Sequence, residues 1–207
     1  MEKILNVPYL TQPTSITCQS TCLKMFSLYL LNRLAMSSPI QGKAITDIWQ
    51  EINESPNRPE HLRNSYQNMV WWLNTQFPKY KFSVKKTRDT DEAISYVVEK
   101  IDKEFPVMIS TNHSRTSGHI LLVIGYKGAE KNACANVQFV CHDPYGRFNP
   151  QLGSKAFGRR RYDGGSSLTE GGEVGPGKAV IYDHRGIRRI RSDKHSNGTY
   201  FLLSGSF

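Results

Sequence analysis

Val7-Pro8-Tyr9-Leu10-Thr11-Gln12-Pro13-Thr14-Ser15-Ile16-Thr17-Cys18-Gln19-Ser20-Thr21-Cys22 is the stretch from which the rest of the chain can be read. A proline-containing, extended lead-in reaches a glutamine, a Ser/Thr-rich turn follows, and Cys18 stands where a helical hydrophobic pattern begins. From Cys18 the apolar positions Cys22, Met25, Phe26, Tyr29 and Leu30 recur at helical spacing. Leu23, Leu28, Leu31 and Leu34 widen that stripe almost all round, the pattern of a helix buried at the centre of a domain. Ser15 or Thr17 is placed to cap its N-terminus with a hydroxyl, and Ser37-Ser38-Pro39 to end it. A thiol at the start of a helix sits at the positive end of the macrodipole, which favours the attacking thiolate. Cys18 is therefore the candidate nucleophile, whose chemistry requires a base and an orienting group from elsewhere in the chain.

Further along, residues 44–53 predict a short helix, 61–77 an amphipathic one carrying Trp71 and Trp72, and 80–85 a strand. Asp89-Thr90-Asp91-Glu92 opens another helix, running to Glu104, with acids in its first turn. The period then changes. Residues 106–110, 119–126 and 137–141 are short β-branched or aromatic runs, and 178–182 and 199–203 read as closing strands. Helices first and an antiparallel sheet of consecutive strands second make the chain α+β. At 207 residues it is expected to form one domain over 1–207, with a long Gly/Arg-rich loop at about 146–177.

The base is sought among six histidines. His119 opens the most hydrophobic strand, Ile120-Leu121-Leu122-Val123-Ile124-Gly125, and the following strand ends in Cys141-His142-Asp143-Pro144. In an antiparallel pair the start of one strand lies beside the end of the next, which brings Asp143 to His119. One ring nitrogen is then held by Asp143 while the other faces Cys18. Gln12 is positioned to offer a side-chain N–H to a developing oxyanion, together with the Cys18 amide. His113 and His142 are expected in loops, and Cys22, one turn beyond Cys18, in the core. Cys18, Cys22, Cys141 and His142 are the only arrangement with any claim on zinc, but Cys-x3-Cys within a helical pattern has no matching second pair. No metal and no cofactor are expected.

Val7-Pro8-Tyr9, Gln12, Cys18, Met25, Gly118-His119, Gly125-Tyr126 and Asp143-Pro144-Tyr145-Gly146, in that order, resemble the bacteriocin-processing-peptidase-like family of papain-fold cysteine peptidases. The nearest likeness is to its stand-alone branch in phage and bacterial cell-wall lytic proteins. The resemblance covers about residues 4–145 and implies a papain-like fold in which Gln12, Cys18, His119 and Asp143 are oxyanion donor, nucleophile, base and orienter. Gln19 follows the cysteine where Gly or Asn is common, and Pro13 follows the glutamine directly.

The net charge of +9 suits an anionic partner or a solvated basic surface. Its Arg159–Arg161 and Arg185–Arg191 clusters carry no RNA-binding signature, so nucleic acid is not the expected partner. A peptide substrate in bacterial peptidoglycan is. No apolar run approaches the ~20 residues of a membrane-spanning helix. The first eight residues lack a signal-peptide core, so synthesis in the cytoplasm followed by delivery to the cell wall or periplasm is the expectation. Two other readings stand beside the wall hydrolase. One is an intracellular protease processing a protein or leader peptide, and the other is a non-catalytic polyanion-binding module of the same fold.

Overall fold

In a computed structural model, described over residues 1–111, 119–128, 137–148, 162–163, 177–183 and 199–207, the chain is a helical layer packed on an antiparallel sheet. The helices are α1 (Cys18–Arg33), α2 (Ile45–Glu54), α3 (Tyr66–Gln76) and α4 (Thr90–Asp102). The strands are β1 (Glu2–Ile4), β2 (Lys81–Thr87), β3 (Val107–Thr111), β4 (His119–Lys127), β5 (Gln138–His142), β6 (Arg147–Phe148), β7 (Tyr162–Asp163), β8 (Val180–Asp183) and β9 (Tyr200–Ser206).

The main sheet runs β2-β9-β3-β4-β5-β8, with β1 added to the far end of β4. All of its pairings are antiparallel. The expectation of consecutive strands holds for β3-β4-β5 only. β9, the last strand, inserts between β2 and β3, and α4 lies between β2 and β3 in the chain. Hydrophobic period reveals strands one at a time and says nothing about which edge a late strand will choose. β4 is buried at every position from His119 to Tyr126, so both of its faces are covered, and α1 and α4 both pack against it. Gly125 lies at a register shift between β4 and β5. A Cβ there would stand 2.5 Å from the Lys3 carbonyl oxygen, so the close approach of β1 requires glycine.

α1 is the central helix that its pattern predicts. Cys22, Leu23, Met25, Phe26 and Leu30 are fully enclosed, and it touches β4, α2 and α3. Phe26, Trp72, Phe105 and Phe139 are the largest core side chains, each contributing about 2–3 kcal/mol of burial. Trp72 keeps its indole N–H satisfied on Glu51 Oε2 at 2.7 Å. Thr17 does precede the helix, but its hydroxyl bonds back to the Thr14 carbonyl (3.1 Å) rather than accepting from a first-turn amide. α3 starts five residues later than predicted, because Asn64 has φ +60° and Ser65 supplies the cap.

The end of α1 is earlier than Ser37. Ala35 takes φ +49°, and Ala35 N–H and Met36 N–H close back onto the Asn32 and Leu31 carbonyls, a Schellman ending with alanine where glycine is usual. The left-handed conformation costs an L-residue about 1–2 kcal/mol. Glycine gives back part of that gain through its freer unfolded chain. Ala35→Gly is therefore expected to raise stability by about 0.5–1 kcal/mol, read as a higher urea midpoint at unchanged slope. Among the described residues no helix is long and apolar enough to cross a membrane.

Candidate active site

The lead-in of residues 7–12 is stitched to the end of β5. His142 Nε2 donates to the Val7 carbonyl (2.9 Å), Tyr9 Oη to the Asp143 carbonyl (3.1 Å), and Gln12 N–H to the Pro144 carbonyl (3.0 Å). Those bonds explain the spacing of the segment and deliver Cys18 to the first position of α1, half-buried.

His119 opens β4 and is buried. Its Nε2 lies 2.7 Å from Asp143 Oδ1, the contact that the hairpin argument predicts. The ring also hydrogen-bonds the Cys18 side chain, which leaves Nδ1 as the nitrogen on that side. Burial is the largest single influence on His119 and favours the neutral ring. The charge and hydrogen bond of Asp143, joined by those of Cys18, outweigh it and lift the imidazolium from 6.5 to about 10. Asp143 is fully enclosed. Its Oδ1 also accepts from the Tyr145 N–H at 3.0 Å, and its Oδ2 from Tyr182 Oη at 3.0 Å.

Cys18 and His119 both line a pocket of about 130 Å³, together with Ser15, Ile16, Gln19, Asn64, Tyr66 and Ser110. Gln12 is not among them. It is fully buried, its Nε2 donates to the Thr14 carbonyl (2.6 Å), and its Oε1 is enclosed without a hydrogen-bond partner. The structure thus joins Cys18, His119 and Asp143 in one chain of contacts and leaves the Gln12 side chain on Thr14, outside the pocket.

The other sequence candidates separate cleanly. The Cys22 thiol is in the core, donating to the Ile120 carbonyl at 3.5 Å, and burial pushes its pKa well up. His142 is not in a loop. It ends β5, buried, with Nδ1 accepting from the Ala179 N–H (3.1 Å) and Nε2 on Val7, so both nitrogens are occupied by backbone. Burial lowers its pKa, in keeping with the neutral tautomer those two bonds require. His113 and the Arg159–Arg161 and Arg185–Arg191 clusters lie outside the described residues. Of the 146–177 stretch only 146–148, 162–163 and 177 are among the described residues: Arg147 and Phe148 pair with Asp163 and Tyr162, and the Gly177 carbonyl accepts from the Asp143 N–H at 2.9 Å. Gly177 and Tyr182 are site neighbours that sequence reasoning missed. One is a glycine among many, and the other is an unremarkable tyrosine in a short strand.

The model of the Peptidase_C39 like family matches residues 4–163. The chain belongs to this family. UfSP from C. elegans is a structural neighbour at 13% identity and TM-score 0.51, covering 100% of this chain and 34% of UfSP, so the chain spans about a third of that protein's length. The family is thus a peptidase-like one, and the fold that the chain shares with UfSP is α+β in class. Comparison with curated protein sequences gives no match.

Proposed function

We propose that the chain hydrolyses peptide or amide bonds through Cys18, His119 and Asp143, and that its substrate is the peptide of bacterial peptidoglycan. The observation that carries the reading is the 2.7 Å contact between His119 and Asp143, with the ring also hydrogen-bonded to Cys18 and both Cys18 and His119 lining one pocket. With the proton of the thiol–imidazole pair on His119, Cys18 Sγ attacks the substrate carbonyl carbon, forming a C–S bond and a tetrahedral oxyanion. The Cys18 backbone N–H, at a helix start where amides have no helical partner, is one donor to that oxyanion. Gln12 is the proposed second donor through its other Nε2 hydrogen, which requires its buried amide to turn from Thr14 toward a pocket that it does not line here. The imidazolium protonates the leaving amine as the C–N bond breaks. Neutral His119 then takes a proton from water, which attacks the thioester, releases the acid and restores the thiol.

Peptidoglycan is favoured by charge. A basic protein, +9 overall, is held near an anionic wall, and action there after release or delivery belongs to the same reading. Incubation with purified sacculi and mass spectrometry of the soluble fraction tests it. Wild type is expected to release peptide fragments that Cys18→Ala does not. Identical fragments from both proteins refute the nucleophile, and turnover of protein or leader-peptide reporters without sacculus fragments moves the substrate away from the wall.

A further inference from the structure

The family match ends at residue 163, yet the carboxylate beside His119 is completed by chain that lies after it. Asp143 is an enclosed carboxylate with both oxygens engaged: Oδ1 by His119 and the Tyr145 N–H, and Oδ2 by Tyr182 Oη at 3.0 Å. A buried carboxylate keeps its charge and orientation only if its oxygens are hydrogen-bonded. Tyr182 is itself buried on β8, and β8 pairs with β5 at Phe139↔Tyr182, so a regular ladder sets the height of the phenol.

We propose that Tyr182 is a positioning residue for the Asp143–His119 pair, fixing the carboxylate's second oxygen and sharing its charge. The proposal rests on the reading of Cys18, His119 and Asp143 as the reacting groups. A phenol donating to Oδ2 draws charge away from Oδ1 and makes the carboxylate less basic. Without that donor Asp143 holds the proton on His119 more tightly, so the His119 midpoint moves to higher pH. A hydroxyl that merely filled space would change stability and leave that midpoint where it is. The titratable groups facing Asp143 among the described residues are His119 from β4, Tyr182 from β8, Tyr9 from the lead-in, Cys22 from α1 and Cys141 from its own strand.

The test is the His119 titration, followed by NMR on full-length protein labelled with ¹³C-histidine and assigned with His119→Gln. Tyr182→Phe is expected to raise the midpoint and to slow fragment release from sacculi about tenfold at unchanged KM. A 3-fluorotyrosine at position 182, a stronger donor of nearly the same shape, is expected to lower the midpoint and keeps the test alive if the phenylalanine variant does not fold. Midpoints that coincide with wild type in the variants that fold, or that move in the same direction for both substitutions, overturn the proposal. The titration needs no substrate. A wild type inactive on sacculi would therefore fault the proposed function, while the NMR midpoints would still decide Tyr182.

Discussion

Asp143→Ala is expected to reduce peptide hydrolysis on the order of 10⁴-fold, the scale of losing the orienting acid from a triad. The variant removes the acceptor that fixes the ring through Nε2 at 2.7 Å and the negative charge that holds a proton on a buried imidazole. Burial, left unopposed by that charge, then favours the neutral ring. Stability should report the same event. His119 in the folded protein titrates at about 10 against an ordinary 6.5, so its protonation contributes stability that is fully present below about 6.5 and lost as pH rises through about 10. Wild type is expected to lose stability across that window, and Asp143→Ala to lose less of it, so that the two urea midpoints converge from pH 6 to pH 10.5. Groups exposed in both unfolded chains cancel in the difference. A constant gap across the window would mean that Asp143 does not control the charge of His119. Asp143→Asn separates the two contributions. Its amide oxygen can still accept from Nε2 while its nitrogen faces Tyr182 Oη, so orientation is largely kept, whereas the pH-dependent difference should resemble that of the alanine variant.

The parts of the site legible in the sequence are those set by local pattern. Cys18 was visible because a polar turn gives way there to a helix with apolar residues on most sides, and α1 begins at that residue. His119 and Asp143 were visible because one strand starts with the first and the next ends just before the second, and an antiparallel pair has to bring those points together. The contributors that remained hidden act across the fold. Nothing local distinguishes Tyr182 from other strand tyrosines. Its meaning comes from the pairing of β8 with β5, which follows a long connection whose return edge no periodicity encodes. His142 is buried at the end of β5 rather than in a loop for a related reason. Its ring is accepted in the core only because Val7 and Ala179, 135 and 37 residues away, supply backbone partners for its two nitrogens. The fold class was legible, and the insertion of β9 between β2 and β3 was not, since edge choice is a tertiary decision.

Gly177 is the position where a single methyl group should do the most damage. Its carbonyl accepts from the Asp143 N–H at 2.9 Å, which ties the backbone of Asp143 to a turn that also supplies Ala179 N–H to His142. A Cβ at 177 would lie 2.0 Å from the Asp143 carbonyl oxygen, 3.0 Å from its carbonyl carbon and 2.8 Å from Tyr9 Oη. Glycine is needed here for room. Two of the three contacts are backbone, so no rotamer change relieves them, and either the turn or Asp143 must shift by an ångström or so. Overpacking of this kind costs about 3 kcal/mol or more, and about 1 Å of misplacement near reacting groups costs on the order of 10²-fold in rate. Gly177→Ala is therefore expected to lower the urea midpoint and to slow hydrolysis by at least that factor. Gly42→Ala, where an added Cβ meets nothing within 4 Å, is the matched control and should leave the rate unchanged. If Gly177→Ala hydrolyses at the wild-type rate, then the 177–179 turn does not govern Asp143. Full activity combined with a lowered urea midpoint would assign that turn to folding alone.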